Sequence, residues 1–282
     1  MHPNFGQVRS ILSQPPSSET FESLIDALPL FDIEFTTEHE LFVYASQHLE
    51  RWPTHILRPL TPSILHASDP DHISCATQLC NCITTSILSD DDLTTQCTPK
   101  TFCKVTTLLF DQTYFDDVRD NHLISSDGPL PQLTTIKLCS PTLPTYAERL
   151  FLSLAQSSRL KQLTTLNIGF TDVSKQTLDL FFQSPHFPQR LTHLDLQHTP
   201  TLHSEHILYL VRSNTLQHLT HLDLRLNHLS TELYTEIASS TQLPSLEWLA
   251  ISHPNITPEA IRALAKSTTL HPQISRYWRA LQ

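Results

Sequence analysis

The sequence predicts an α/β protein built from a repeated strand–helix unit, and three observations support this prediction. A short pattern with apolar residues at its first, fourth and sixth positions recurs in the later part of the chain, at steps of 27–30 residues. A stretch with helical periodicity follows each clear copy. Most of these helical stretches begin with serine or threonine, which are preferred at helix N-termini. Self-similarity at such a period is the signature of a repeat architecture, in which stacked units share one core.

The strand pattern is clearest in two copies of "LTHLDL", which begin at Leu191 and Leu219. The related copies are "VTTLLF" from 105, "LTTIKL" from 133, "LTTLNI" from 163 and "LEWLAI" from 246. Alternate residues of a strand point to opposite faces, so positions four and six should enter the core and positions three, five and seven should point outward. A further apolar residue usually follows at position eleven. The copy from Leu191 has Thr201 there and Leu202 one residue later, which indicates a one-residue insertion.

The stretches behind the copies have the spacing of amphipathic helices. They read "TYAERLFLSLAQSS", "SKQTLDLFFQS", "SEHILYLVRSN", "STELYTEIASS" and "TPEAIRALAKS". Serine or threonine opens most of them, and such a hydroxyl satisfies a backbone N–H of the first helical turn. Pro258 follows Thr257 at a first helical position, where a missing N–H costs nothing. Each unit is therefore predicted to be a strand followed by a helix.

These units resemble the leucine-rich repeat family, with its pattern L-x-x-L-x-L-x-x-N-x-L, and in particular its ribonuclease-inhibitor-like class. The resemblance covers residues 105–267, about six repeats, and "LTHLDLRLNHL" at 219–229 carries every position, including Asn227. Other copies place different residues at the asparagine position: Thr113, Pro141, Thr171, Thr199 and Pro254. The resemblance implies an α/β solenoid, with parallel strands on a concave side and helices on the convex side.

The two ends of the chain do not carry the repeat. Residues 1–104 are predicted to be mainly helical, and we interpret them as a cap on the first repeat or as a separate recruitment module. A helix is also expected across Cys80 and Cys82. Residues 268–282 are interpreted as a C-terminal cap. The apolar side chains expected to cover the last repeat are Leu270, Ile274, Tyr277 and Trp278.

The outward positions of the last three copies gather polar and aromatic residues. Neighbouring strands lie about 4.8 Å apart, so equivalent residues should form ladders across them. One ladder is predicted to contain His193, His221 and Trp248, and the next Asp195 and Asp223. The predicted partner-binding residues of the concave face are His193, Asp195, Gln197, His221, Asp223, Arg225, Trp248 and Ser252.

Two His-x-Asp units on adjacent strands raise the alternatives of a metal site and of a proton relay. Two imidazoles and two carboxylates could reach a zinc ion. However, the face is open to water, and no third ladder of ligands completes a second shell. A nucleophile–His–Asp relay needs side chains that touch in sequence, and no serine or cysteine lies between them. We therefore predict no metal, no cofactor and no catalytic residue.

Composition excludes several classes of function. A net charge of −10 argues against nucleic acid as the partner, because phosphate binding needs a basic surface. Three scattered glycines, Gly6, Gly128 and Gly169, cannot form a phosphate-binding loop. No signal segment or run of about 18 apolar residues is present, so the chain is expected to be a cytoplasmic monomer that does not associate with a membrane. The six cysteines are then expected to be reduced thiols.

The leading interpretation is a non-enzymatic scaffold or regulator that binds a protein partner through the concave face. The alternative is a ubiquitin-ligase substrate adaptor, in which residues 1–104 recruit the ligase. A third hypothesis is a hydrolase that uses the histidine and aspartate ladders.

Overall fold

The computed structural model describes residues 4–28, 40–53, 56–59, 77–84, 102, 104–110, 117–125, 128–138, 144–252 and 256–280. The chain forms two compact units. One unit contains Met1–Leu109 and Asp127–Leu133, and the other contains Phe110–Ser126 and Thr134–Gln282. Some predicted features lie outside the described residues, namely the turn residues Thr113, Pro141 and Pro254.

The described elements of the first unit are α1 (Phe5–Leu12), α2 (Ser18–Ala27), α3 (Glu40–Leu49), β1 (Cys82–Thr84) and β2 (Thr107–Phe110), of which the last residue, Phe110, belongs to the second unit. Helix α1 packs against both α2 and α3. Apolar residues at helical spacing, such as Phe21 and Leu24 of α2 and Leu41 and Leu49 of α3, are buried between them. The helical prediction for this part of the chain is confirmed at these three helices.

The prediction of a helix across Cys80 and Cys82 was wrong. Cys82–Thr84 is the strand β1, which pairs in parallel with β2 so that Cys82 lies opposite Thr107. The segment contains β-branched residues, which suit a strand, and the neighbouring strand supplies backbone hydrogen bonds that periodicity cannot reveal. A strand therefore lies within the region expected to be mainly helical. Both cysteines are buried, and burial raises the pKa of the Cys80 thiol to about 12.

The second unit repeats strand and helix in alternation. Its described strands are β3 (Thr135–Leu138), β4 (Thr165–Asn167), β5 (His193–Asp195), β6 (His221–Asp223) and β7 (Trp248–Ala250). Its described α-helices are α4 (Asp117–Ile124), α5 (Pro144–Gln156), α6 (Lys175–Phe182), α7 (Ser204–Arg212), α8 (Thr231–Ser239), α9 (Pro258–Lys266) and α10 (Pro272–Arg279). Short 3-10 helices at Ser158–Gln162 and Asn214–Leu216 precede β4 and β6.

The strands β3 to β7 pair in parallel and in chain order. Equivalent residues of successive repeats lie opposite one another, as Leu166, Leu194, Leu222 and Leu249 do. Positions one, four and six of every copy are buried, which confirms the predicted register. Leu202 is also buried, as expected for a copy with a one-residue insertion.

The helices behind these strands pack in sequence, each against the next from α5 to α10. Serine and threonine side chains cap three of them: Ser174, Ser230 and Thr257 each accept a hydrogen bond from a backbone N–H of the first turn. Helix α7 differs, because its N-cap residue is His203 and Ser204 is already helical. Parallel strands with a helix in each repeat are the arrangement that the leucine-rich repeat resemblance implies.

The turn after β6 depends on Asn227, whose side chain is buried. Its Oδ1 accepts from the Thr199 N–H at 2.8 Å, and its Nδ2 donates to the carbonyls of Leu196 and Leu224 at 2.8 and 3.2 Å. The equivalent Thr171 donates to the Ile168 carbonyl of its own turn. Asparagine thus ties two repeats together, whereas the threonine hydroxyl bonds within one.

The last helix, α10, covers the end of this unit. Leu270, Ile274 and Trp278 are buried, as expected for a cap. The expectation for Tyr277 was wrong, because its side chain is 52% exposed. Residues one position apart on a helix point in different directions, so Trp278 and Tyr277 cannot both face the core.

Candidate binding face

The outward side chains of β3–β7 form one polar and aromatic surface, here called the strand face. The predicted ladders are confirmed: His193 lies opposite His221, and His221 lies opposite Trp248. Asp195 likewise lies opposite Asp223. The side chains of His193 and Trp248 are exposed, the latter by 43%. The short strands hold these side chains in register because their core leucines stack behind them.

The two strand histidines are stacked. Their ring centroids are 4.2 Å apart, and the ring planes differ by only 10°. The Trp248 ring continues this row, with its centroid 5.9 Å from that of His221. The strand spacing of a parallel sheet sets these separations, so adjacent rings meet without any rearrangement.

A threonine before each histidine fixes the ring. The Thr192 hydroxyl lies 2.9 Å from Nδ1 of His193 and 3.0 Å from the Thr164 carbonyl oxygen. The Thr220 hydroxyl makes the same pair of contacts, at 2.8 Å to Nδ1 of His221 and 2.9 Å to the Thr192 carbonyl oxygen.

The hydroxyl has one proton, and this determines the histidine tautomer. If the hydroxyl donated to the ring, two oxygens would face each other at about hydrogen-bond distance with no proton between them. We infer that the hydroxyl donates to this carbonyl, which also accepts the backbone N–H groups of Thr192 and His193 at 2.8 and 3.0 Å, and that the ring Nδ1–H donates to the hydroxyl. In the neutral ring, Nε2 is then an acceptor on both His193 and His221.

The charge state of His193 follows from its surroundings. Partial burial lowers the pKa of this ring, and the nearby charges of His221 and Lys137 lower it further. An unperturbed histidine titrates near pH 6.5, so His193, with its lowered pKa, is neutral at pH 7.

The carboxylates of the strand face are held by neighbouring groups. Asp195 accepts from the Gln197 N–H at 2.9 Å and from Nδ2 of Asn167 at 3.0 Å, and burial raises the pKa of its carboxyl. Asp223 is only 5% exposed, because the Arg225 guanidinium covers it. Nε of Arg225 donates to the two carboxylate oxygens at 3.0 and 2.9 Å.

The remaining predicted residues support this arrangement. Arg225 also donates to Oε1 of Gln197 at 3.2 Å, which links two repeats. Ser252 is half-buried, and its hydroxyl accepts a hydrogen bond from the Leu226 N–H. The strand face therefore presents His193, His221, Trp248 and the guanidinium of Arg225, whereas Asp223 lies beneath it.

Two hollows border Trp248. One has a volume of about 230 Å³ and contains both histidines, Asp195 and Trp248 in its lining. The other has about 390 Å³ and separates Trp248 from the exposed Tyr277 of α10. Two exposed aromatic rings beside open hollows are features of a contact surface.

A second row of exposed side chains was not predicted from the sequence. Phe170, His198 and Leu226, at position eight of three successive copies, have φ values of 59°, 51° and 59°. This left-handed region disfavours residues other than glycine and asparagine. Phe170 and Leu226 are exposed by 43% and 52%, and the Phe170 and His198 ring centroids are 5.5 Å apart. Only the repeat period, applied to position eight of each copy, could have identified these residues.

Gly169, just before Phe170, is required by close packing. A Cβ atom there would lie 2.8 Å from the Gln197 carbonyl oxygen and 3.2 Å from Oδ1 of Asp195. The close approach also allows the Phe170 N–H to donate to that carbonyl at 2.7 Å.

The ring geometry does not suit a shared metal ion. Zinc ligands must converge on one point from different directions, whereas the two histidine rings lie stacked in planes that differ by only 10°. Among the described residues, no group of three or more histidine, cysteine, aspartate or glutamate side chains gathers as a metal site. No helix in the described ranges has the length and apolar character needed to cross a membrane.

The similarity of this chain to known proteins lies in structure rather than in sequence. No family model matches the sequence, and no curated protein matches it. Among solved structures, an internalin (inlF) of Listeria monocytogenes is similar over 72% of this chain, with 19% sequence identity and a TM-score of 0.41. This chain spans 56% of the length of that internalin. A similarity at this level assigns neither a family nor a function.

Proposed function

We propose that the chain is a non-enzymatic interaction protein, a leucine-rich repeat solenoid of the ribonuclease-inhibitor-like class that binds a protein partner through the strand face. The observation that carries this proposal is the exposed Trp248 at the end of the stacked histidine row, beside Arg225. Aromatic and arginine side chains dominate the binding energy of protein interfaces. The row lies on paired strands, so a partner meets side chains that are already ordered.

The Trp248 ring is expected to contribute most to this binding. Trp248→Ala should leave folding intact and weaken partner binding by more than about 1 kcal/mol, because the ring is exposed and its loss opens no cavity in the core. The experiment recovers binding proteins with the immobilised full-length chain and then measures the affinity of the recovered partner by calorimetry.

The matched control is Tyr209→Ala, which removes a similarly exposed aromatic ring from α7 on the helix layer. Normal binding by this variant, together with weakened binding by Trp248→Ala, assigns the contact to the strand face. Equal affinities for all three proteins would place the contact surface elsewhere.

For residues 1–104 we propose a capping role in place of ligase recruitment. This proposal is supported by β1, a strand of this region that pairs in parallel with β2, the strand of the first repeat copy. Val43 is an exposed apolar residue of α3, and Val43→Asp should leave the recovered partners unchanged if the region only caps. Loss of ubiquitin-ligase subunits from the recovered proteins would instead favour the adaptor.

A further inference from the structure

We propose that the His193–His221 pair is a site for a basic side chain of the protein partner, an arginine or a lysine, whose N–H groups donate to the two Nε2 atoms while its charge lies beside Trp248. The inference rests on the proposed function and names the chemistry of the partner. Three observations support it: the tautomer, the aromatic row and the net charge of the chain.

The tautomer makes each ring an acceptor toward the partner. Because Nδ1–H is committed to a threonine hydroxyl in both repeats, the far nitrogen of each neutral ring has a lone pair and no proton. No described residue donates to either Nε2. Two acceptors on stacked rings suit a ligand with several N–H groups, as guanidinium and ammonium groups have.

Trp248 extends the row with a surface that favours cations. A cation over an indole face is attracted within about 6 Å of the ring centroid. The Trp248 centroid lies 5.9 Å from that of His221, so a guanidinium group, which carries several N–H groups, can donate to Nε2 of His221 and extend toward the indole. Arginine is the better fit of the two basic residues, because its planar group can stack and donate at once.

The net charge of the chain, more than the charges beside the pair, favours a cation. Asp195 lines the same hollow, and the charge of Asp223 is balanced by Arg225. Lys137 lines this hollow as well and opposes a cation, so Asp195 and Lys137 offset each other there. The chain as a whole has a net charge of −10, which attracts basic partners over longer distances.

Nitrogen NMR of the full chain labelled with ¹⁵N-histidine tests the tautomer directly. We expect His193 and His221 in the Nδ1–H form at about pH 8. His206 is an internal control: its Nδ1 accepts the His203 backbone N–H at 2.9 Å, so it must be in the opposite, Nε2–H form. An Nε2–H form at both strand histidines would overturn the proposal, because the pair would then donate instead of accept.

Nona-arginine is the probe for binding, with nona-glutamate as the peptide of opposite charge. Nona-arginine should shift the ¹⁵N signals of His193 and His221 and the indole signal of Trp248. The His193→Ala/His221→Ala variant should bind it about five-fold more weakly, which corresponds to about 1 kcal/mol. The control variant His218→Ala/His228→Ala changes two exposed histidines outside the row and should bind normally.

The pH dependence gives a second readout. Protonation of His193 converts its Nε2 acceptor to a donor and adds positive charge, so nona-arginine affinity should fall as the pH is lowered through the pKa of His193, which burial lowers from its ordinary value. The double variant should lose most of this dependence. Equal binding by the double variant and the wild type, or binding of nona-glutamate at this row, would overturn the proposal.

Two variants distinguish a failure of this proposal from a failure of the proposed function. If Trp248→Ala weakens capture of the natural partner and the histidine double variant does not, the strand face remains the binding surface and the basic-side-chain site is wrong. If neither variant weakens capture, both proposals are wrong.

Discussion

On the strand face, His193 and His221 stand at the surface with Nδ1 against a threonine hydroxyl. On the helix side of the same repeats, His206 is buried with Nδ1 against a backbone N–H. Nε2 of His206 lies 3.2 Å from the Asp179 carboxylate of the preceding repeat. The same residue type therefore contributes an outward acceptor on one side and an internal tie between helices on the other. The group that meets Nδ1 decides which role it takes.

The largest expected effect on stability comes from comparing a buried position with an exposed position of one repeat. Leu222 is fully buried at position four, so Leu222→Asp should lower the free energy of unfolding by at least about 3 kcal/mol, because it buries an unpaired carboxylate. The exposed Leu226 supplies the control, and Leu226→Asp should unfold nearly as the wild type does. Chemical denaturation measures both, and similar stabilities for the two variants would show that the register is wrong.

The turn asparagine is expected to have the next largest effect. Asn227→Ala removes hydrogen bonds to three backbone groups of two repeats and should cost about 1–3 kcal/mol of stability. The exposed Asn214 is the matched control, and its replacement by alanine should cost little. If the two alanine variants were equally stable, Asn227 would not tie the repeats together.

His206 is predicted to make stability depend on pH. Burial lowers its pKa, more than the attraction of Asp179 raises it, and the charges of Lys175 and His203 lower it further. The folded protein then binds fewer protons than the unfolded chain, so this stabilisation is complete above about pH 6.5 and is lost as the pH falls through the folded-state pKa.

Urea unfolding of the wild type and of His206→Gln tests this dependence at about pH 7.5 and about pH 5.5. Glutamine does not titrate, and its amide oxygen can accept the His203 N–H, so the loss of stability at the lower pH should be smaller in the variant. The lowered pKa of His193 acts in the same direction and leaves a residual loss. An identical loss in both proteins would remove His206 as the cause.

The smallest expected effect concerns Leu226, one of the three residues with positive φ at position eight of the repeat copies. Asparagine tolerates positive φ better than leucine, so Leu226→Asn should raise stability by about 0.5–1 kcal/mol. Leu180 has the same exposure but lies within α6, where asparagine is a poorer helix former, so Leu180→Asn should lower stability slightly. A stability change of the same sign in both variants would argue against strain at Leu226.

Much of the fold could be predicted because the repeat period follows from the spacing of apolar residues along the chain. Apolar spacing determined which side of each strand enters the core, and it identified Leu202 as the displaced residue of one repeat. The same spacing placed His193, His221 and Trp248 in one row. It failed at Cys82–Thr84, where a parallel partner strand decides between strand and helix, and at Tyr277, where a one-residue difference in helix direction decides exposure.

The sequence by itself determined the repeat, the strand register and the identity of the outward side chains, because these depend on periodicity along the chain. Only the tertiary structure decided which of those side chains are available. Asp223 lies beneath Arg225, the threonine hydroxyls contact Nδ1 of His193 and His221, and Phe170 and Leu226 stand exposed at positive φ. These outcomes depend on distances and hydrogen bonds between groups that the periodic pattern does not specify, many of them in neighbouring repeats.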